Sequence, residues 1–227
     1  MVNIEENLKD VRQRIDKACQ RVGRASEDVK IIAVTKYVGL AETKELIRLG
    51  LVDIGESRVQ EALHKKASIT YPGLNWHLIG SLQTNKINKA LDTFTYFHSI
   101  DRLSLAEQLN RKAGTLGRKI KCFIQVNISR ETTKNGVEVE QLFAFVQELA
   151  GLTDLEIIGL MTMAPHFSNS ELARPIFRKL RELKEEINNL GILSYDLQEL
   201  SMGMSNDYEI AIEEGATYIR IGSTLFK

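Results

Sequence analysis

From residue 30 onward the chain alternates between short apolar runs and segments of helical periodicity. The runs are IIAVTK (31–36), LVDIGE (51–56), NWHLIG (75–80), FTYFHSI (94–100), IKCFIQVN (120–127), LEIIGLMTMA (155–164), LQELSM (197–202) and YIRIGS (218–223). Between them lie ETKELIRLG, SRVQEALHKKA, TNKINKALD, RLSLAEQLNRKAG, VEVEQLFAFVQELAG, SELARPIFRKLRELKEEINNLG and NDYEIAIEEG. Buried strands joined by helices pair in parallel, because a crossover helix returns the chain to the same end of the sheet. About eight such units in 227 residues predict a single-domain (β/α)8 TIM barrel, residues 1–227, with an open doubly wound sheet as the alternative. Residues 4–22 carry Ile4, Leu8, Val11, Ile15, Cys19 and Val22 on one face and predict an extra N-terminal helix, with Asn3 as its cap. That helix could fill the gap left where no eighth helix follows the last run.

Thirty basic and thirty acidic residues give a formal net charge of zero, so neither a nucleic-acid stripe nor a membrane-binding patch is expected. The polar start MVNIEENLKD is not a signal peptide, and no apolar run reaches bilayer-spanning length. Cys19 and Cys122 stand apart without metal spacing, which fits a reducing cytoplasm. His64, His98 and His166 show no metal spacing either, and His77 is read as a structural histidine whose alternation could place it under a helix.

Chemistry in such a barrel sits at the C-terminal ends of the strands. Lys36 ends the first run and should face the mouth, either solvating the rim or, partly desolvated, serving as an amine nucleophile. In the last run Tyr218, Arg220 and Gly222 share the face expected to point inward, and Thr217, Ile219 and Ile221 the face under the helices. A buried arginine needs a partner. Glu199 on the neighbouring run could supply it, or a bound ligand could. SMGMSND (201–207), with Asp207 as a helix cap, and Gly222-Ser223-Thr224 follow the seventh and eighth runs, the usual phosphate-binding loops of these barrels. An amine, a phosphate cradle and an interior arginine in one mouth would suit pyridoxal 5′-phosphate. A phosphosugar barrel with Lys36 as a Schiff-base lysine is the competing reading.

AVTK (33–36), IGESRVQEA (54–62), WHLIGSLQTNK (76–86), GLMTMAP (159–165), LSMGMSND (200–207) and IRIGSTLF (219–226) resemble the pyridoxal phosphate homeostasis protein family, relatives of the N-terminal domain of alanine racemase. The resemblance implies that Lys36 carries pyridoxal 5′-phosphate as a Schiff base. It implies that Ser201, Gly222, Ser223 and Thr224 hold the phosphate, that Arg220 faces the pyridine nitrogen, and that Met202 or Met163 packs near the ring. Ser57 stands where the family usually has asparagine, so it is left outside this set.

The resemblance also implies a role in vitamin B6 and amino-acid homeostasis without a catalytic cycle, a monomer, and pyridoxal-phosphate-dependent apoenzymes as candidate recipients. Arginine is a donor that stays charged, so Arg220 favours an unprotonated ring nitrogen and disfavours transaminase-type chemistry. A small amino-acid racemase remains the alternative. It would need a second acid–base group, which alanine racemases take from a separate β-domain, and Tyr37 and Tyr195 are the substitutes to consider here.

Overall fold

The structure, a computed structural model, describes residues 3–131 and 135–227. The chain runs α1 (Ile4–Arg21), β1 (Lys30–Val34), α2 (Leu40–Arg48), β2 (Asp53–Glu56), α3 (Val59–Ala67), β3 (Asn75–Leu78), α4 (Ile87–Thr93) and β4 (Tyr96–Ile100). It continues α5 (Leu103–Thr115), β5 (Ile120–Asn127), β6 (Val137–Glu138), α6 (Leu142–Leu149), β7 (Leu155–Met161), α7 (Arg174–Asn189), β8 (Glu199–Met204), α8 (Tyr208–Glu213) and β9 (Tyr218–Ile221).

Eight parallel strands lie in the order β4-β3-β2-β1-β9-β8-β7-β5, and pairing of β4 with β5 closes the ring. The (β/α)8 TIM barrel is therefore the fold, and the open sheet is excluded. The short β6 is additional and pairs with the C-terminal end of β5 through Val126–Val137 and Asn127–Glu138. Residues 137–151 were expected to be helical throughout. Instead a strand and a 3-10 turn come first, because the β-branched Val137 and Val139 disfavour helix and Val137 finds a strand edge to pair with.

Strand alternation sorts the core into two parts. Trp76, Leu78, Ile219 and Ile221 point outward under the helices. Ile32, Tyr96, Phe123, Met161 and Tyr218 fill the axis. At Gly159 a Cβ would lie 1.9 Å from the Glu199 carbonyl oxygen, so the approach of β7 to β8 requires glycine.

α1 occupies the gap between α8 and α2. Asn3 caps it through Glu6 N–H at 3.1 Å. Arg14 pairs with Glu209 and Arg21 with Glu213, each at 2.5 Å. On the other side Arg12 donates to the Leu49 carbonyl at 3.3 Å. Asn7 donates to the Leu225 and Lys227 carbonyls at 3.1 and 2.9 Å, fixing the segment after β9. The exposed ion pairs contribute little each, and the buried stripe of Leu8, Val11 and Ile15 is what anchors the helix.

Candidate functional site

A cavity of about 800 Å3 opens at the C-terminal ends of the strands. Lys36, Ser57, Met163, Ser205, Arg220, Gly222 and Ser223 are among the residues that line it, contributed by β1, β2, β7, β8 and β9 or the segments leaving them. Lys36 lies two residues past β1 and is exposed, its Nζ 5.0 Å from the centre of the Tyr37 ring. Lys36 is not buried as expected: β1 ends at Val34, Thr35 stays inside, and the chain reaches the surface at Lys36 and Tyr37.

Behind Lys36 lies a buried ion pair. Lys65 on α3 reaches Glu56 Oε1 at 2.6 Å and donates to the Thr35 carbonyl at 2.6 Å. The Thr35 hydroxyl donates to the same Glu56 oxygen at 2.6 Å. The peptide that leads into Lys36 is thereby held from two sides.

Arg220 faces the axis, as alternation predicts, and is only 4% exposed. Its Nη1 donates to Ser201 Oγ at 2.7 Å and its Nη2 to the Thr162 carbonyl at 2.9 Å. Glu199 is not its partner. The first residue of β8 lies near the opposite end of the barrel, where Glu199 sits 3.7 Å from Lys30. Burial pulls the Arg220 guanidinium down to about 10, opposed by the charge of Asp207. It remains a cation at neutral pH.

The loops after β8 and β9 meet at Ser205. The backbone N–H groups of Gly222 and Thr224 both point at its hydroxyl, at 3.2 and 3.4 Å. Two amides converging on one oxygen are the arrangement that an anion cradle uses, and here the Ser205 hydroxyl accepts from both. Asp207 does not cap α8 through its side chain. Its carboxylate accepts from Met204 N–H at 2.6 Å and closes the loop instead, and burial pushes its carboxyl up against that hydrogen bond.

Of the residues expected to form the site, Lys36, Arg220, Gly222 and Ser223 line the same cavity. Thr224 contributes its N–H to the cradle. Ser201 and Met202 do not match this geometry. Ser201 is wholly buried, with its hydroxyl between Arg220 and His98, and Met202 points under the helices into the outer core. Both precede the strand end, where side chains alternate between axis and outer face. Sequence reasoning passed over Ser205, the first residue beyond β8. Pairing of Met204 with Arg220 brings it beside the loop after β9. The signal was the second serine of SMGMSND.

His77 points to the axis, not under a helix, with its Nδ1 3.0 Å from His98 Nε2. So two histidines that seemed unrelated in sequence are neighbours. Among the described residues no group of three or more His, Cys, Asp or Glu side chains is arranged to hold a metal ion. Among the same residues no helix is long and apolar enough to cross a membrane.

Residues 4–227 match the family described as alanine racemase, N-terminal domain, which defines the class of barrel. Within it, the chain is 41% identical to a pyridoxal phosphate homeostasis protein of Aquifex aeolicus, across 99% of this chain and 98% of that one. It is 39% identical to the Pseudomonas aeruginosa protein of the same name, across 100% and 96%. A structure of PipY from Synechococcus elongatus PCC7942, with PLP bound, matches at TM-score 0.87 and 37% identity, covering 99% of this chain and 100% of that one. This chain belongs to the pyridoxal phosphate homeostasis protein family. An alanine racemase of Clostridium difficile 630 matches at TM-score 0.75 and 16% identity over 56% of its length, a likeness of fold alone.

Proposed function

We propose that the cavity holds pyridoxal 5′-phosphate and that this chain is a pyridoxal-phosphate-binding protein of B6 homeostasis. The observation that carries this reading is the meeting of three unlike groups in one mouth: the Lys36 amine, the Gly222 and Thr224 N–H pair, and the Arg220 guanidinium. They fit the cofactor part for part. The cradle suits a phosphate, the lysine an aldehyde, and the arginine a ring nitrogen that accepts a hydrogen bond. When bound, the cofactor supplies an electrophilic aldehyde and an electron-withdrawing ring.

In this assignment Gly222, Ser223, Thr224 and Ser205 hold the phosphate, Lys36 anchors the aldehyde carbon and Arg220 orients the ring. Met163 packs at the cavity wall. Ser201 acts through Arg220. A guanidinium facing the ring nitrogen donates a hydrogen bond and gives up no proton at neutral pH, so it favours the unprotonated ring and weakens the electron sink. That supports holding and releasing the cofactor over turning over a substrate. Of the two tyrosines considered as a second acid–base group, Tyr195 lies beside β7 with its hydroxyl accepting from Ile157 N–H at 3.2 Å and lines no part of the mouth, whereas Tyr37 lines it beside Lys36 and is exposed. Storage in a reducing cytoplasm by a monomer, with apoenzymes as recipients, completes the proposal.

The test is the visible spectrum of the purified protein with added pyridoxal phosphate, followed by borohydride reduction and peptide mapping. A band whose reduced label maps to Lys36 is expected. A protein that stays colourless overturns the reading and favours a phosphosugar barrel. Solvent deuterium exchange into amino acids should stay at background, and exchange at the α-position would instead favour the racemase.

Arg220→Met should weaken retention. Losing a charge-assisted hydrogen bond costs about 1.5–3 kcal/mol, or roughly ten- to a hundredfold in dissociation constant. Equal retention in wild type and variant, measured by dialysis against phosphate buffer, would remove Arg220 from the site.

A further inference from the structure

Below the cavity floor, a continuous line of hydrogen bonds runs down the barrel axis from Arg220. Arg220 meets Ser201 Oγ at 2.7 Å, Ser201 meets His98 Nδ1 at 2.9 Å, His98 Nε2 meets His77 Nδ1 at 3.0 Å, and His77 Nε2 meets Asp53 Oδ1 at 2.9 Å. Asp53 is the first residue of β2, at the end of the barrel away from the mouth.

The chemistry allows one direction of donation. Arginine can only donate, so Ser201 accepts from it and has its own proton left for His98 Nδ1. His98 must then carry its proton on Nε2 and donate to His77 Nδ1. His77 in turn carries its proton on Nε2 and donates to the Asp53 carboxylate. The reverse order would set two acceptors, His77 Nε2 and Asp53 Oδ1, face to face. Both histidines are buried, and burial holds both below their ordinary range. Each is therefore neutral at physiological pH, as the single direction requires. Stacking locks the rings: His77 lies 4.3 Å from Tyr96 and His98 4.3 Å from Phe123. Asn75 holds Asp53 Oδ1 from the side at 3.1 Å, and Lys30 reaches Tyr218 at 2.9 Å beside the column.

Arg220 has no carboxylate in ion-pair contact among the described residues, although its guanidinium is buried, and the charge of Asp207 reaches it only from beyond that distance, with no hydrogen bond between them. We propose that Asp53, His77, His98 and Ser201 form a one-directional relay that serves as the counter-ion path for Arg220 and sets how firmly the cofactor ring nitrogen is gripped. Each donated bond polarises the next, so the Asp53 charge reaches Ser201 Oγ as a stronger acceptor. The four are positioning residues. The proposal rests on the pyridoxal phosphate reading for its consequence, but not for the relay itself.

Nitrogen-15 NMR of the histidines in cofactor-free protein tests the relay directly. Both rings should be neutral Nε2–H tautomers, and an Nδ1–H or doubly protonated ring at neutral pH overturns it. Asp53→Asn keeps an acceptor and removes the charge, and Ser201→Ala cuts the same path near Arg220. Each should speed loss of pyridoxal phosphate on dialysis roughly tenfold and shift its visible band alike, with Lys36 still labelled. The double variant should show little further change, because one path is cut twice. Wild-type spectra and loss rates in both variants, or additive effects in the double, overturn the proposal. Should Asp53→Asn fail to fold, the Ser201→Ala spectrum and the tautomers decide. A wild type that takes up no pyridoxal phosphate would instead sink the functional reading while the tautomers still judge the relay.

Discussion

Replacing Lys36 by alanine is expected to abolish covalent attachment of the cofactor and leave the barrel intact. The side chain is exposed and its loss opens no hole in the core, so the change in stability should lie within about 0.5 kcal/mol. The cradle at Gly222 and Thr224 and the Arg220 guanidinium remain, so pyridoxal phosphate should still bind, reversibly and more weakly. The visible band of the lysine adduct should vanish, and borohydride should fix no label. One other amine could complicate the result, because Lys227 also lines the cavity. Peptide mapping separates the two. A label on Lys36 in wild type keeps the assignment, and a label on Lys227 in the variant would overturn the expected loss of attachment without moving the wild-type site. An unchanged band with no Lys36 label in wild type removes it.

The barrel was legible because its signal is repetitive. Each apolar run needs only to be recognised as a strand, and eight of them separated by helices leave few topologies. The inward face of Tyr218 and Arg220 followed from strict alternation, since β9 pairs regularly with β1 from Lys30–Tyr218 to Ala33–Ile221. What alternation could not supply was where a strand stops. Ser201 and Ser205 are both serines in one small-residue stretch. Only the end of β8 at Met204 decides that the first is sealed in the barrel and the second lies in the cradle. The partner of Arg220 was illegible for another reason. Hydrogen bonds to a hydroxyl and a backbone carbonyl leave no charge pattern in a sequence, whereas Glu199 did, and it proved to serve Lys30. His77 and His98 meet across paired strands β3 and β4, and their separate positions gave no sign of it.

The buried pair of Lys65 and Glu56 was equally hidden, since SRVQEALHKKA reads as an ordinary charged helix. It carries the largest expected effect on stability. Lys65→Met keeps most of the stem's apolar volume and removes the ammonium. Glu56 is wholly buried, its Oε1 then retains only the Thr35 hydroxyl, and its Oε2 has no hydrogen-bond partner among the described residues. Breaking such a pair on one side costs about 3–5 kcal/mol, because the remaining charge is left uncompensated. In a chain of this length that lowers the melting temperature by roughly 6–20 °C. Urea unfolding of cofactor-free protein is the measurement, with loss of less than about 1 kcal/mol counting against an ionic pair. The double variant Lys65→Met/Glu56→Leu should recover much of the loss, since two apolar groups of similar volume leave no charge stranded. It should not recover cofactor retention to the same degree. Lys65 also donates to the Thr35 carbonyl, the last peptide oxygen before Lys36. With both charged partners gone, the barrel can regain its stability while the peptide that presents the lysine has lost its clamp. A double variant that regains stability and retention together would show that Lys65 serves the core alone.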